Sequence, residues 1–569
     1  MTRHHLPLLP LTRRLATGLQ PTLRTRWSRR TLLGLLLVSP FVPVPRVDAQ
    51  IVPAPAMPDP AVPVPPGLPP VEPILPGPDL PAPVLPVSDP PTAAPTPSIP
   101  TPAVPAVTAP AAPSIESGSA PFRAWYFAEG NSRNGFDTFF SLLNLSDQPA
   151  SVSAQYSRDD GIRLTQWLGI EPHARLSLNA NDVVGARAFG TSFFSDQDIV
   201  VERTTTWGPG QNAETMVGFA PEGRRAWHFA EGTTRGKVVT YFVTQNLVDS
   251  PASVTATFTR DDGKTEKRQY DVPPRGRDAF RVNDLLQDTS FSASVRANQD
   301  IVVERTIMIE GERPPTVRRS REDKGPNVQT NGQTDDSFAM ARNANGIFGG
   351  LGYLAVGAEP GSRTWEFAEG STRGPYSTTF ILFNPGQHDT FVRFTFRPEQ
   401  GGTQTKAVYL SPMTRLAFSP KDVVPAADFA TSISSDYPIV VERAYASSGD
   451  GLYGALGYTS TPPRTESRTW YFAEGNTTNQ IEMFFILYNL SAQSTQVRAT
   501  YFVDGASTRE QTLSLPPGAR LAQRANDTVS AGFFSTRFVA DQNIMVERTI
   551  YLPGGSGFTT VGAGAVRGV

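Results

Sequence analysis

Cysteine is absent from all 569 residues. No disulfide can brace the fold, no thiolate can serve as nucleophile or zinc ligand, and no lipid can be attached through a cysteine. Lys+Arg (51) and Asp+Glu (53) nearly cancel, leaving a formal net charge of -2. That removes the electrostatic case for nucleic acid or an acidic membrane as partner. Past the N-terminal region no apolar run approaches the about 18 residues of a membrane-spanning helix, so no transmembrane segment is expected in the mature chain. Histidine is scarce: only His173, His228 and His388 lie beyond the first 49 residues. No Gly-x-Ser-x-Gly elbow, His-Glu-x-x-His pair or phosphate-cradling Gly-x-x-x-x-Gly-Lys loop occurs. No catalytic residue, metal ligand or cofactor is predicted, and the chain does not read as an enzyme.

Proline is plentiful but uneven. Residues 1–49 carry seven arginines ahead of the apolar run Leu32–Val38, no acidic residue before Asp48, and the small-residue end Val47-Asp48-Ala49. This is the layout of an export signal cleaved before Gln50. Ser28-Arg29-Arg30-Thr31-Leu32-Leu33 resembles the twin-arginine export motif. From Ile51 to Pro113, 24 of 63 residues are proline. A chain so poor in backbone donors builds neither helix nor sheet. Residues 50–120 therefore read as a disordered, extended linker, whose stretch from Ile51 to Pro113 would reach on the order of 190 Å fully extended.

The remainder is one unit written four times. Trp125-Tyr126-Phe127-Ala128-Glu129-Gly130 returns as Trp227–Gly232, Trp365–Gly370 and Trp470–Gly475. Val-Glu-Arg follows, with Glu202-Arg203, Glu304-Arg305, Glu442-Arg443 and Glu547-Arg548. From Trp to that Glu is 77 residues each time. Between these ends recur a Phe at 15, an Asn at 19, an Arg at 50 (Arg175, Arg277, Arg415, Arg520), an Asp at 57 and a Phe at 64. Period-2 runs such as Val152-Ser153-Ala154-Gln155-Tyr156, punctuated by Asp159-Asp160-Gly161, are strands and hairpin turns. Seven or eight short strands per repeat of about 100 residues predict an all-β fold of four Ig-like antiparallel sandwiches. Their bounds are 121–222, 223–360, 361–464 and 465–569, with a disordered insertion at about 310–345. From that Glu to the next Trp is only 25, 61 and 28 residues, so neighbours should touch end to end.

The chain is similar to uncharacterised secreted bacterial proteins built of tandem Ig-like or fibronectin-like sandwich repeats that bear Trp-Tyr-Phe-Ala-Glu-Gly and Val-Glu-Arg. The resemblance covers Trp125 to about Val561 and implies an extracellular or envelope location, with no chemistry to transfer.

The recurrent motif residues are Trp125, Glu129, Glu202 and Arg203; Trp227, Glu231, Glu304 and Arg305; Trp365, Glu369, Glu442 and Arg443; and Trp470, Glu474, Glu547 and Arg548. Their role reads as structural. Glu202 and Arg203 face opposite ways on a strand, and an inward charge needs a partner. The Glu129 type should pair the Arg203 type, or the two should clasp one repeat to the next. Acidic turns such as Asp196-Gln197-Asp198 offer oxygens of the kind calcium takes, but a plain turn explains them. The function expected is that of an exported, non-enzymatic adhesive or scaffolding array at the cell surface. Expected partners are a cell-wall or extracellular polysaccharide or an envelope protein. The alternatives are a carbohydrate-binding protein, with Trp167 and Trp207 as the aromatics to inspect, and the accessory subunit of a secreted enzyme.

Overall fold

The computed structural model describes residues 122–133, 135–207, 212–218, 224–309, 352–356, 361–447, 458–460, 467–553 and 557–564. All of them belong to one compact unit, Thr108–Val569. The export signal, the proline linker and the 310–345 insertion lie outside the described residues.

The first repeat has eight strands: β1 (Ala124–Phe127), β2 (Asp137–Asn144), β3 (Ala150–Arg158), β4 (Arg163–Ile170), β5 (Arg175–Asn179), β6 (Phe189–Ser195), β7 (Ile199–Trp207) and β8 (Asn212–Val217). They form two four-stranded antiparallel layers, ordered β1-β6-β3-β4 and β5-β2-β7-β8. Alternation along β3 sends Val152, Ala154 and Tyr156 inward, where they are buried. The β3–β4 hairpin turns at Gly161, whose φ of 82° is open to glycine. The loop after β2 is held by Asn144. Its Oδ1 accepts from the Ser146 N–H at 3.0 Å, and its Nδ2 donates to the Gln148 carbonyl at 2.7 Å. This is the Asx turn the loop predicts, and Asn246, Asn384 and Asn489 repeat it.

In the later repeats the sixth and seventh strands fuse into one: Phe291–Ile309, Phe429–Ser447 and Phe534–Tyr551. Each fused strand pairs with strands of both layers, so the layers become a single curled antiparallel sheet. The pairing of Arg224–Phe229 with Phe291–Ile309 slips between Arg296 and Ile301, at the bend. In the first repeat the same stretch is broken by the turn between Ser195 and Ile199.

The signature tryptophans close each repeat from within. Trp125, Trp227 and Trp470 donate from Nε1 to the carbonyls of Ile199, Ile301 and Ile544 at 2.8, 3.0 and 2.8 Å. Trp365 donates instead to Ser362, at 3.3 Å. The motif glycine has an equally concrete cause. A Cβ on Gly232 would lie 2.2 Å from the Phe291 ring, and on Gly130, Gly370 and Gly475 it would lie 2.5–2.6 Å from Phe189, Phe429 and Phe534. The Gly of the first signature and the Phe at offset 64 are thus one packing unit.

The four repeats do not form an extended row. Each packs against the next, and the fourth packs against the first. The apolar core of the second repeat includes Ala128 of the first, that of the third includes Ala230, and that of the fourth includes Ala368. The core of the first repeat includes Ala473 of the fourth. The last strands of the repeats, β8, Gly352–Val356, Tyr458–Ser460 and Gly557–Val561, likewise adjoin in turn and return to β8. The contacts expected between neighbours are present, but they close a ring.

Replacing Gly232 by Ala should destabilise the protein by about 1–3 kcal/mol through overpacking against Phe291. Adding Phe291→Leu should recover part of that loss. Chemical denaturation of the three variants checks it; additive losses would mean that the two side chains do not share one space.

Candidate functional site

The recurrent charges gather at the four junctions. On β7, Glu202 and Arg203 point to opposite faces, as strand geometry requires. Arg203 reaches forward to Glu304 of the second repeat, Nη2 to Oε2 at 2.9 Å, with both side chains fully buried. Arg305 meets Glu442 at 2.8 Å and Arg443 meets Glu547 at 2.8 Å. Glu202 points back and takes Arg548 of the fourth repeat at 3.0 Å. Every Val-Glu-Arg therefore gives its carboxylate to the preceding repeat and its guanidinium to the following one. Such head-to-tail contacts make a ring only if the rotation closes, and here it closes at four.

The first signature is the other half of each junction. The Glu304 carboxylate accepts from the Ala128 N–H at 2.8 Å, Glu442 from Ala230 at 2.8 Å, Glu547 from Glu369 at 2.6 Å and Glu202 from Glu474 at 2.6 Å. The main-chain carbonyls of Glu129, Glu231, Glu369 and Glu474 accept from Arg203, Arg305, Arg443 and Arg548. Those guanidiniums also lie 5.1–5.6 Å over the rings of Phe127, Phe229, Phe367 and Phe472, within cation–π range.

A second set of pairs runs alongside. The carboxylates of Glu129, Glu231, Glu369 and Glu474 take the arginines at offset 50 of the next repeat: Arg277, Arg415, Arg520 and Arg175. The Glu129 type and the Arg203 type thus meet through a backbone carbonyl, while their charges go to the neighbouring repeat. The clasping alternative is the one the geometry adopts. Arg175, Arg415 and Arg520 each hold a second acid, Asp504, Asp261 and Glu399. These acids share offset 34 with Asp159, which in the sequence reads only as a turn residue. Their recurrence beside the Arg at 50 was the available signal. Burial pushes the carboxyls of Glu129, Glu202 and Glu231 up, against the pull of Arg277, Arg548 and Arg415.

The other candidates fall elsewhere. Trp207 is not available to a ligand: it is 4% exposed and stacks on Phe136 at 6.1 Å. Trp167, at 60% exposed, is open. His173 pairs with Asp147 at 2.7 Å and stacks on Phe502 of the fourth repeat. His388 stacks on Tyr437. In the acidic turns Asp198, Asp300 and Asp436 are taken by Arg123, Arg225 and Arg393, and Asp196 caps the Ser151 N–H. Among the described residues no three His, Cys, Asp or Glu cluster as a metal site would require, and no helix is long and apolar enough to cross a membrane. His228 is buried beside Phe383 of the third repeat, with Nδ1 2.7 Å from Ser294 Oγ. Burial and the nearby Arg296 charge lower its pKa to about 4.

No protein-family model matches the chain, and no curated protein does. Among solved structures it is similar to one titled Thermotoga maritima 1070, at 21% identity and a TM-score of 0.17, covering 18% of this chain and 97% of that one. That share of this chain is about one repeat. A tetra-tandem repeat from the extending region of a large adhesion protein matches at 11% identity and a TM-score of 0.08, covering 74% of this chain and 94% of that one. Likenesses at these scores carry no argument about function.

Arg548→Met should leave Glu202 buried without its cation and cost about 3–5 kcal/mol. It should also open the ring at the one junction that no chain connection spans, seen as a larger radius of gyration by small-angle scattering. Replacing Glu202 as well, by Met, should restore most of the stability. An unchanged radius in the single variant would show that the Arg175–Glu474 pair and the apolar packing suffice to close the ring.

His228 generates a pH dependence. Its folded-state pKa of about 4 lies below the unfolded value near 6.5. The unfolded chain therefore binds the extra proton first, and stability present above pH 6.5 is lost as pH falls toward 4, by up to about 3 kcal/mol. His228→Gln should flatten the denaturation midpoint across that window; an unaltered slope would assign the loss to other groups.

Proposed function

We propose that this is an exported, non-enzymatic surface protein whose four repeats form a pre-assembled binding head, carried by its proline-rich linker away from the cell. The observation that carries the reading is how the recurrent charges are spent. In each repeat two carboxylates and two arginines are buried at junctions, so the shared motif builds a body, and recognition is left to residues that differ between repeats. Buried ion pairs of this kind set register and partner choice more than they add stability. The export signal supports an extracellular or envelope location, and the near-neutral charge supports a partner other than nucleic acid. Adhesion or scaffolding through a cell-wall polysaccharide, an extracellular polysaccharide or an envelope protein is the role that suits such a head.

A second reading, binding of carbohydrate as the main activity, is favoured by exposed aromatics. Trp167 projects from β4, and Phe391, Tyr409 and Tyr437 are exposed on the third repeat.

The mature chain, sedimented with cell-wall material with and without calcium, should pellet with the wall. Pelleting that soluble glycans compete away would favour the carbohydrate reading. A chain that stays in the supernatant under all conditions would overturn the surface-binding role.

A further inference from the structure

Among the described residues seven large apolar side chains are exposed, and three of them, Phe391, Tyr409 and Tyr437, sit together on the third repeat. Phe391 and Tyr409 are direct cross-strand partners with ring centroids 5.4 Å apart. Phe391 also donates its N–H to the Asp436 carboxylate, next to Tyr437. The Tyr437 N–H donates to Thr390 Oγ1 at 3.1 Å, and its ring stacks on His388 at 4.7 Å. Two exposed ring pairs, Phe391–Tyr409 and His388–Tyr437, are thus tied to one another through Thr390 and Asp436 on the outside of the repeat.

The other repeats serve as an internal control. At the four positions of His388, Phe391, Tyr409 and Tyr437, the first repeat has Gln148, Ser151, Gly169 and Gln197. The second has Ser250, Ser253, Asp271 and Gln299, and the fourth has Gln493, Gln496, Ser514 and Gln542. The fold plainly tolerates polar residues at all four places, and only the third repeat makes all of them aromatic. Packing does not explain the change, because these side chains point away from the core.

We infer that this surface is a saccharide-binding platform, and that its ligand is a neutral polysaccharide. The inference rests on the reading of the protein as a binding head and places the contact on one repeat. Aromatic rings give the C–H faces of a sugar an apolar surface, while Tyr hydroxyls offer hydrogen bonds at the rim. The rim is polar and balanced. Asp389 holds the Tyr409 hydroxyl, and Arg393 donates from Nη1 to Asp436 at 2.7 Å, with Arg363 acting on the same carboxylate. These two carboxylates and two guanidiniums balance, so the rim presents no net charge to attract a polyanion.

The test uses the full mature chain in native gels containing hydroxyethylcellulose, xylan or mannan. The comparison is the variant carrying His388→Ser, Phe391→Ser, Tyr409→Asp and Tyr437→Gln, the residues of the second repeat. This variant should melt like the parent, since the same set already stands on the same fold. The parent should be retarded by at least one glycan, with apparent affinity weakened tenfold or more in the variant. Equal retardation of the two, or no retardation of the parent in any gel, overturns the inference. A parent that pellets with wall material yet runs freely in all three gels removes the saccharide platform and leaves the binding-head reading standing.

Discussion

The architecture depends on a guanidinium and a carboxylate that meet across each boundary between repeats with no water between them. Charges so deeply buried are costly unless every partner is in place. Here the partners are supplied by two strands and one connecting segment from two repeats: the Glu-Arg of each Val-Glu-Arg, and the backbone of the Ala-Glu-Gly that follows the first strand. A junction assembled in the wrong register would strand an ion in an apolar setting. The same pairs that hold neighbours together therefore reject misaligned neighbours.

The fused strands carry this constraint into the body of each repeat. Phe429–Ser447 packs Phe429 against Gly370 at one end, and at the other presents Glu442 and Arg443 to two different junctions. The core and the boundaries share one element, so a repeat has little room to adjust one without the other. Where the first repeat breaks that strand into β6 and β7, the pairs at Glu202 and Arg203 are still made.

Much of a single repeat was legible in the chain. Period 2 marked β3, the Asp-Asp-Gly marked its hairpin, and Asn144 announced its turn. The ring was not legible, for a definite reason. When four copies carry the same Glu and the same Arg, the sequence cannot distinguish a pair within a copy from a pair between copies. Recurrence reveals that a contact exists and erases its address. The two tryptophans outside the pattern separated for a simpler reason: Trp167 lies on the outer face of an edge strand, while Trp207 ends a covered one. The aromatic surface of the third repeat was visible in principle, as four departures from the internal consensus. What concealed it was that the four lie at offsets 23, 26, 44 and 72 and meet only after folding.

Head-to-tail closure has a further meaning for how such a chain can change over generations. Repeats in an open row can be gained or lost one at a time, since each end merely shifts. In this molecule the Glu202 of the first copy and the Arg548 of the last are each other's partners. Deleting one copy would ask the remaining three to close at a steeper angle, and duplicating one would ask five to close at a shallower one. Copy number is then an inherited property of the whole ring, fixed by the wedge each repeat occupies, while the outward faces remain free to diverge singly.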